Sequence, residues 1–127
     1  MTVDRASLDK FGQFVMENLR DRCIDDFEML SAARWNAPRV QGLQAALAAF
    51  STEQTAVVRR CVVACIDSAI RDFLFKLQER ADFENDIQVF VDGKNVVGLG
   101  DGIHGESFGP DGWQATFSRF GQGPDEA

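Results

Sequence analysis

The sequence predicts an α+β fold in which long N-terminal helices pack on a small C-terminal antiparallel sheet of about three strands. Three observations carry this. Apolar residues recur at three- and four-residue steps from Leu8 onward, the period of helices with buried faces. Beyond Ile87 the period changes to two, that of strands. The pair Asp92-Gly93 then separates two apolar runs, the composition of a tight hairpin turn. Helices at one end of the chain and strands at the other favour α+β over an alternating α/β arrangement.

Ser7 reads as the N-cap of the first helix. Leu8, Phe11, Val15, Leu19, Cys23, Phe27 and Leu30 form one apolar stripe, which predicts a helix to about Ala33. Asp21, Asp25 and Glu28 lie off that stripe and are expected in water. Pro38 disfavours helix at the residue before it, so the helix stops near Trp35-Asn36-Ala37. A short second helix is expected from Val40 to Phe50.

Ser51-Thr52-Glu53-Gln54 has the form of a capping box, serine at the cap and glutamine three residues on. It opens the longest helix, expected to reach about Arg80. Arg60, Asp67, Arg71 and Gln78 share a narrow polar stripe, with Asp67 and Arg71 as an i,i+4 pair. Val57, Val58, Val62, Val63, Ile66, Ile70, Phe73, Leu74, Phe75 and Leu77 cover most of the remaining girth. A helix this apolar is expected to be buried on several sides, as the central helix or as one that also lines a dimer interface. Asp72 interrupts the apolar face. It is expected either to form a partly buried pair with Lys76 or a bond to a backbone donor, or to turn toward the glycine-rich loop described below.

Ile87, Val89 and Val91 mark the first strand and Val96-Val97-Gly98-Leu99 the return strand. A glycine-rich loop runs from Gly100 to Gly112. The alternation Trp113, Ala115, Phe117 predicts a third strand. Residues 1–120 are expected to form one α+β domain, with 121–127 as a flexible tail.

Bulk properties fit this picture. The 127 residues are 45% hydrophobic and 26% charged, with eleven Phe and no Tyr. A chain of this size buries roughly two-thirds of its unfolded surface, enough for a core without staples. The net charge of −7 argues against a nucleic-acid surface, which needs clustered Lys and Arg. It suits solubility, or steering toward a basic partner protein. Three cysteines are an odd count, against a secreted disulfide framework. Cys61 and Cys65 share a helix face but are poorly placed to bridge, and all three thiols are expected to behave as small buried hydrophobes. No zinc-binding spacing occurs. The first residues carry no signal-like apolar run, and no stretch is apolar enough to span a membrane, so a cytoplasmic location is expected.

The concentrated functional signal is Gly100-Asp101-Gly102-Ile103-His104-Gly105-Glu106. It matches G-x-G-x-x-G, but a dinucleotide fingerprint must open a helix, and the residues after Glu106 cannot start one. Asp101 would also place negative charge where phosphate sits. A second reading takes Asp101, His104 and Glu106 as a two-carboxylate, one-imidazole set for a metal or for acid–base chemistry. His104 is the chain's one histidine, so no second imidazole ligand is available, and no nucleophile pattern accompanies it. A third reading is a structured connection between strands, closed by glycines and short polar side chains. A fourth is an exposed recognition loop with Ile103, Phe108 and Trp113 as anchors.

The C-terminal half also carries a family resemblance. Asp72-Phe-Leu-Phe-Lys-Leu-Gln-Glu79, Ile87-Gln-Val-Phe-Val-Asp-Gly93, Asp101-Gly-Ile-His-Gly-Glu106 and Asp111-Gly-Trp113, with Phe117-Ser118, resemble a group of small uncharacterised bacterial proteins. These end in a DG-x-x-GE…DGW pattern. In size and charge the chain also resembles immunity proteins of bacterial toxin systems. The resemblance implies no activity and no catalytic residue.

The expectation from sequence is therefore a non-enzymatic protein-interaction domain, immunity-like in character. It would bind a protein partner or a second copy of itself, without cofactor or metal. Asp101, Ile103, His104, Glu106, Phe108 and Trp113 are its binding candidates. The alternatives are a small metal-dependent or acid–base enzyme centred on Asp101, His104 and Glu106, and a small-molecule sensor with a pocket between helices and sheet.

Overall fold

A computed structural model describes residues 3–97, 103–106 and 111–121, with the side chains of Val3, Asp4, His104 and Gly105 excepted. The chain begins with α1 (Val3–Val15), one π-helical turn (Met16–Arg20) and α2 (Asp21–Ser31). A 3₁₀ turn (Pro38–Val40), α3 (Gln41–Ala48) and the 32-residue α4 (Thr52–Phe83) follow. The hairpin β1 (Phe90–Val91) and β2 (Lys94–Asn95), a 3₁₀ turn (Ile103–Glu106) and α5 (Trp113–Phe117) complete the described elements. The fold is α+β in the broad sense: mostly helical, with one small antiparallel sheet.

That sheet has two strands rather than the three expected. Trp113, Ala115 and Phe117 do not alternate across a sheet. They lie on α5, which buries Trp113 and Gln114, half-buries Phe117 and exposes Ala115 and Thr116. Five residues of alternation fit a helical turn as well as a strand. A hairpin with two residues per strand offers no edge for a third strand to extend. The expected tail beyond Gly121 lies outside the described residues, as do Gly98 and Leu99 of the expected return strand.

The first helix starts at Val3, so Ser7 is not its cap but a buried residue inside it. The expected stripe is also displaced. Leu8, Met16, Arg20, Ile24 and Phe27 are buried, whereas Leu19 is exposed. Leu8, Gly12, Met16, Arg20 and Ile24 step by four, and each such step overshoots an α-helical turn by about 40°. The π turn, whose Asp21 amide donates to the Met16 carbonyl five residues back, takes up an extra residue and returns these positions to one face. Asp21, expected in water, is brought inside by the same shift.

The link from α2 to α3 is held by the buried Gln44. Its Oε1 accepts from the Trp35 amide at 3.0 Å and its Nε2 donates to the Trp35 carbonyl at 3.0 Å. The capping box forms at the start of α4 as the sequence predicts. Gln54 N donates to Ser51 Oγ at 3.1 Å, and Ser51 N donates to Gln54 Oε1 at 2.8 Å. At the hairpin, Asp92 and Gly93 both have positive φ, 51° and 80°, the type I′ geometry that matches strand twist.

The core gathers Leu8 and Met16 with Ile70, Leu74 and Leu77 of α4, and Val96, Val97, Ile103 and Trp113 from the C-terminal segment. Gly12 makes this possible. A Cβ there would lie 2.3 Å from the Trp113 indole, so only glycine lets α1 approach that ring. Phe11 meets the same indole edge-on, with centroids 5.9 Å apart.

Candidate functional site

The structure disperses the sequence-predicted loop site. Asp101 and Phe108 lie outside the described residues, as does the His104 side chain. Ile103 and Trp113, expected as exposed anchors, are core residues and are covered by α1 and α4. The Ile103 amide donates to Gln78 Oε1 of α4 at 3.3 Å. Glu106 faces Arg5 of α1, with Oε2 2.8 Å from the guanidinium. Asp72 points to solvent, 3.9 Å from Arg71, rather than forming a half-buried pair with Lys76. Among the described residues, no three His, Cys, Asp or Glu side chains are placed to hold a metal ion.

Two other constellations emerge. The first is a buried polar clasp around Arg20, which is fully buried. Arg20 Nε donates to Asp67 Oδ1 at 2.6 Å and its Nη2 to Asp67 Oδ2 at 3.3 Å. Its Nη1 donates to Ser118 Oγ at 2.9 Å and to the Phe120 carbonyl. Ser118 Oγ in turn donates to Asp21 Oδ1 at 2.5 Å, and the Arg119 amide donates to Asp21 Oδ2 at 3.1 Å. Arg119 also reaches Asp25, and the guanidinium groups of Arg119 and Arg59 lie over the Phe120 ring. Asp67 of α4 therefore pairs with Arg20 across the bundle. A buried guanidinium is tolerated only when charge and donors are met together, as they are here. The clasp ties the segment after α5 to the π turn and to the middle of α4.

The second is an apolar strip along α4. At about 100° per residue, Val63, Asp67, Ile70, Leu74 and Leu77 lie on one strip, and all five are buried. About 120° round the helix lie Val58, Val62, Cys65, Ala69, Phe73, Lys76, Arg80 and Phe83. None of these eight is buried. Within the described residues one side of α4 is covered and an apolar side is open, so the chain by itself does not bury this helix on several sides. Phe14 and Leu19 of the first helix flank the strip, and Ile87 follows it. Phe14, Phe73 and Phe83 are 64%, 61% and 82% exposed.

Three hollows follow one another along this face. The first, about 440 Å³, is lined by Cys23 and by Val58 to Ala69 of α4. The second, about 200 Å³, lies between Phe14, Leu19 and Phe73. The third, about 750 Å³, runs from Phe73 past Lys76, Glu79, Arg80 and Glu84 to Phe83 and Ile87. Phe73 belongs to the last two, so the surface is continuous. The thiols belong to it as well. Cys61 and Cys65 are exposed and Cys23 is half-buried, all three free, which overturns their reading as core residues. Burial, and then the nearby Asp26, push the Cys23 thiol above its ordinary pKa. At the far end, the hydrogen bond from Arg80 holds the Asp86 carboxyl below the usual carboxylate range.

Sequence reasoning missed both constellations. Arg20 sits among polar neighbours and signals nothing until the π turn rotates it inward. Phe14 and Phe83 lie off the apolar stripes, and that was the available signal: large apolar residues with no place in a predicted core.

No protein-family model matches the chain, and neither a curated protein nor a solved structure does so significantly. The geometry of the chain itself therefore carries the functional reading. Among the described residues no helix is long and apolar enough to cross a membrane.

Proposed function

We propose that this chain is a non-enzymatic protein-interaction domain whose docking surface is the apolar strip of α4. The observation that carries this is the exposure of Phe14, Phe73 and Phe83 on one continuous face. Single exposed apolar residues are normal, but three phenylalanines of about 200 Å² each, more than half exposed, present roughly 400 Å² together, the size of a monomer's largest apolar patch, which is often functional. The net charge of −7 adds long-range steering toward a basic partner, the immunity-type form of this reading. The enzyme alternative at Asp101, His104 and Glu106 has less support, since Glu106 is engaged by Arg5. The sensor alternative draws on the hollow of about 750 Å³, and apolar acids that raise Tm in a thermal-shift screen would favour it.

The test is capture on immobilised tagged chain, wild type against Phe73→Glu. A protein held in stoichiometric amount by the wild type and lost with the variant supports the reading, whether it is a foreign chain or an untagged copy of this one. Equal capture by both, or none by either, overturns it.

A further inference from the structure

All three cysteines of the chain border one hollow, the one of about 440 Å³ beside α4. Cys61 and Cys65 reach it from α4 and Cys23 from α2, and all three thiols are free. Cys23 is distant from the other two in sequence, so the packing of α2 on α4 gathers the sulfurs. The rest of the lining, Val58, Val62, Ile66 and Ala69, is aliphatic. The hollow therefore offers sulfur donors and no carboxylate, imidazole or amide side chain. Magnesium and calcium take oxygen ligands, so sulfur alone selects a soft cation.

Coordination number narrows the choice. Structural zinc and iron–sulfur clusters take four protein ligands, and no three donors among the described residues are placed around one point. Of the ions that thiolates select, Cu(I) remains, and two sulfurs satisfy it. Two are well placed. Cys61 and Cys65 stand one turn apart in the interior of α4, where residues at i and i+4 hold their Cβ atoms about 5–6 Å apart on one face. Thiolate–metal bonds are about 2.3 Å long, so an ion midway between two sulfurs needs them roughly 4.6 Å apart, within reach of both side chains from that separation. The same step lets two histidines of one helix chelate a metal. It is a poor spacing for a disulfide, whose Cβ atoms lie about 3.8 Å apart, so the helix holds the two sulfurs as separate donors. Both are exposed, and an ion reaches them without unfolding.

We propose that Cys61 and Cys65 form a two-thiolate site for a soft monovalent cation, Cu(I) in class. On binding, each thiol gives up its proton to water and its sulfur lone pair to the metal, with no change of oxidation state. Cys23, half-buried on α2, walls the hollow without serving as a ligand. Such a cation needs no partner protein, so the site stands or falls separately from the docking surface.

The test titrates Cu(I) into the reduced full chain without oxygen, in competition with bicinchoninate, a coloured Cu(I) chelator. One Cu(I) per chain is expected to leave the chelator, with a thiolate-to-copper charge-transfer band in the ultraviolet. Cys61→Ser and Cys65→Ser are each expected to weaken binding more than about 100-fold, since losing a mere hydrogen-bond partner of a ligand already costs about 10–100-fold. Both residues are exposed, so both variants are expected to unfold as the wild type does. Cys23→Ser is expected to bind Cu(I) as the wild type does. Cys65→Ser combined with Ser68→Cys keeps three thiols but sets the two on α4 about 10.5 Å apart along the axis, and is expected to lose the site. The proposal is overturned if the wild type takes no Cu(I) from the chelator, or if Zn(II) is held as tightly. Retention of the site by Cys61→Ser, by Cys65→Ser or by the displaced pair overturns it equally, as does its loss in Cys23→Ser.

Discussion

Two faces of α4 treat polarity in opposite ways. The face toward the first helix buries an aspartate against an arginine, and the face toward solvent displays phenylalanine. Asp67 and Arg20 can be inside because Ser118, Asp21 and the Phe120 carbonyl complete their hydrogen bonds. Phe73 and Phe83 are outside because no described element reaches that side of the helix. The contrast teaches that burial follows the supply of partners more than the hydropathy of the residue. A charge with every donor met is a stable interior group, and an apolar side chain with nothing over it is an unfinished contact.

The sharpest way to break this contrast is to remove one side of the clasp. Asp67→Ala leaves Arg20 buried and uncompensated, and is expected to cost about 3–5 kcal/mol in urea denaturation. Replacing both together, Arg20→Met with Asp67→Leu, is expected to recover most of that loss, since a well-packed apolar pair can stand in for a buried ion pair. A double variant as unstable as the single one would mean that Arg20 matters chiefly through Ser118 and Phe120.

Next in size is the close approach at Gly12. Gly12→Ala drives a methyl group into the Trp113 indole and is expected to cost about 1–3 kcal/mol, with a shift in tryptophan emission. Ser118→Ala removes the hydroxyl shared by Arg20 and Asp21 and is expected to cost roughly 1–2 kcal/mol, measured in the same way. On the open face the expectation reverses. Phe83→Ser is expected to leave stability within about 0.5 kcal/mol while raising solubility, because its side chain is 82% exposed. A large loss there would show that the strip is covered from within the chain.

The smallest expected effect is in acid. The Asp86 carboxyl titrates below its unfolded value because Arg80 donates to it. Its contribution is therefore present above the unfolded pKa and is lost as pH falls through the lower folded value. Arg80→Ala is expected to flatten the stability profile slightly below about pH 4 and to leave neutral pH nearly unchanged. The pair is half-exposed at the surface, so a steep acid transition that Arg80→Ala abolishes would contradict this.

The same contrast separates what could be read from the sequence and what could not. The capping box at Ser51 and Gln54 and the turn at Asp92-Gly93 were legible because both are local: a few neighbouring residues satisfy the backbone they sit on. The helical period of the first half was legible for the same reason. The third strand was not, since five alternating residues become a strand only where a partner edge exists. The glycine loop drew attention by its composition, yet Ile103 turns into the core beside α4 and Glu106 turns to Arg5.

The sequence by itself thus determined where α4 begins and where the hairpin turns, because caps and turns act over a few residues. It also determined that α4 would carry more apolar surface than its neighbours need. Tertiary structure alone decided which side of α4 is covered. It drew Arg20 and Asp21 inward through a π turn, made a core residue of Trp113, and left Phe73 and Phe83 in the open. Those outcomes depend on which surfaces meet across the bundle, and no local window of sequence contains that information.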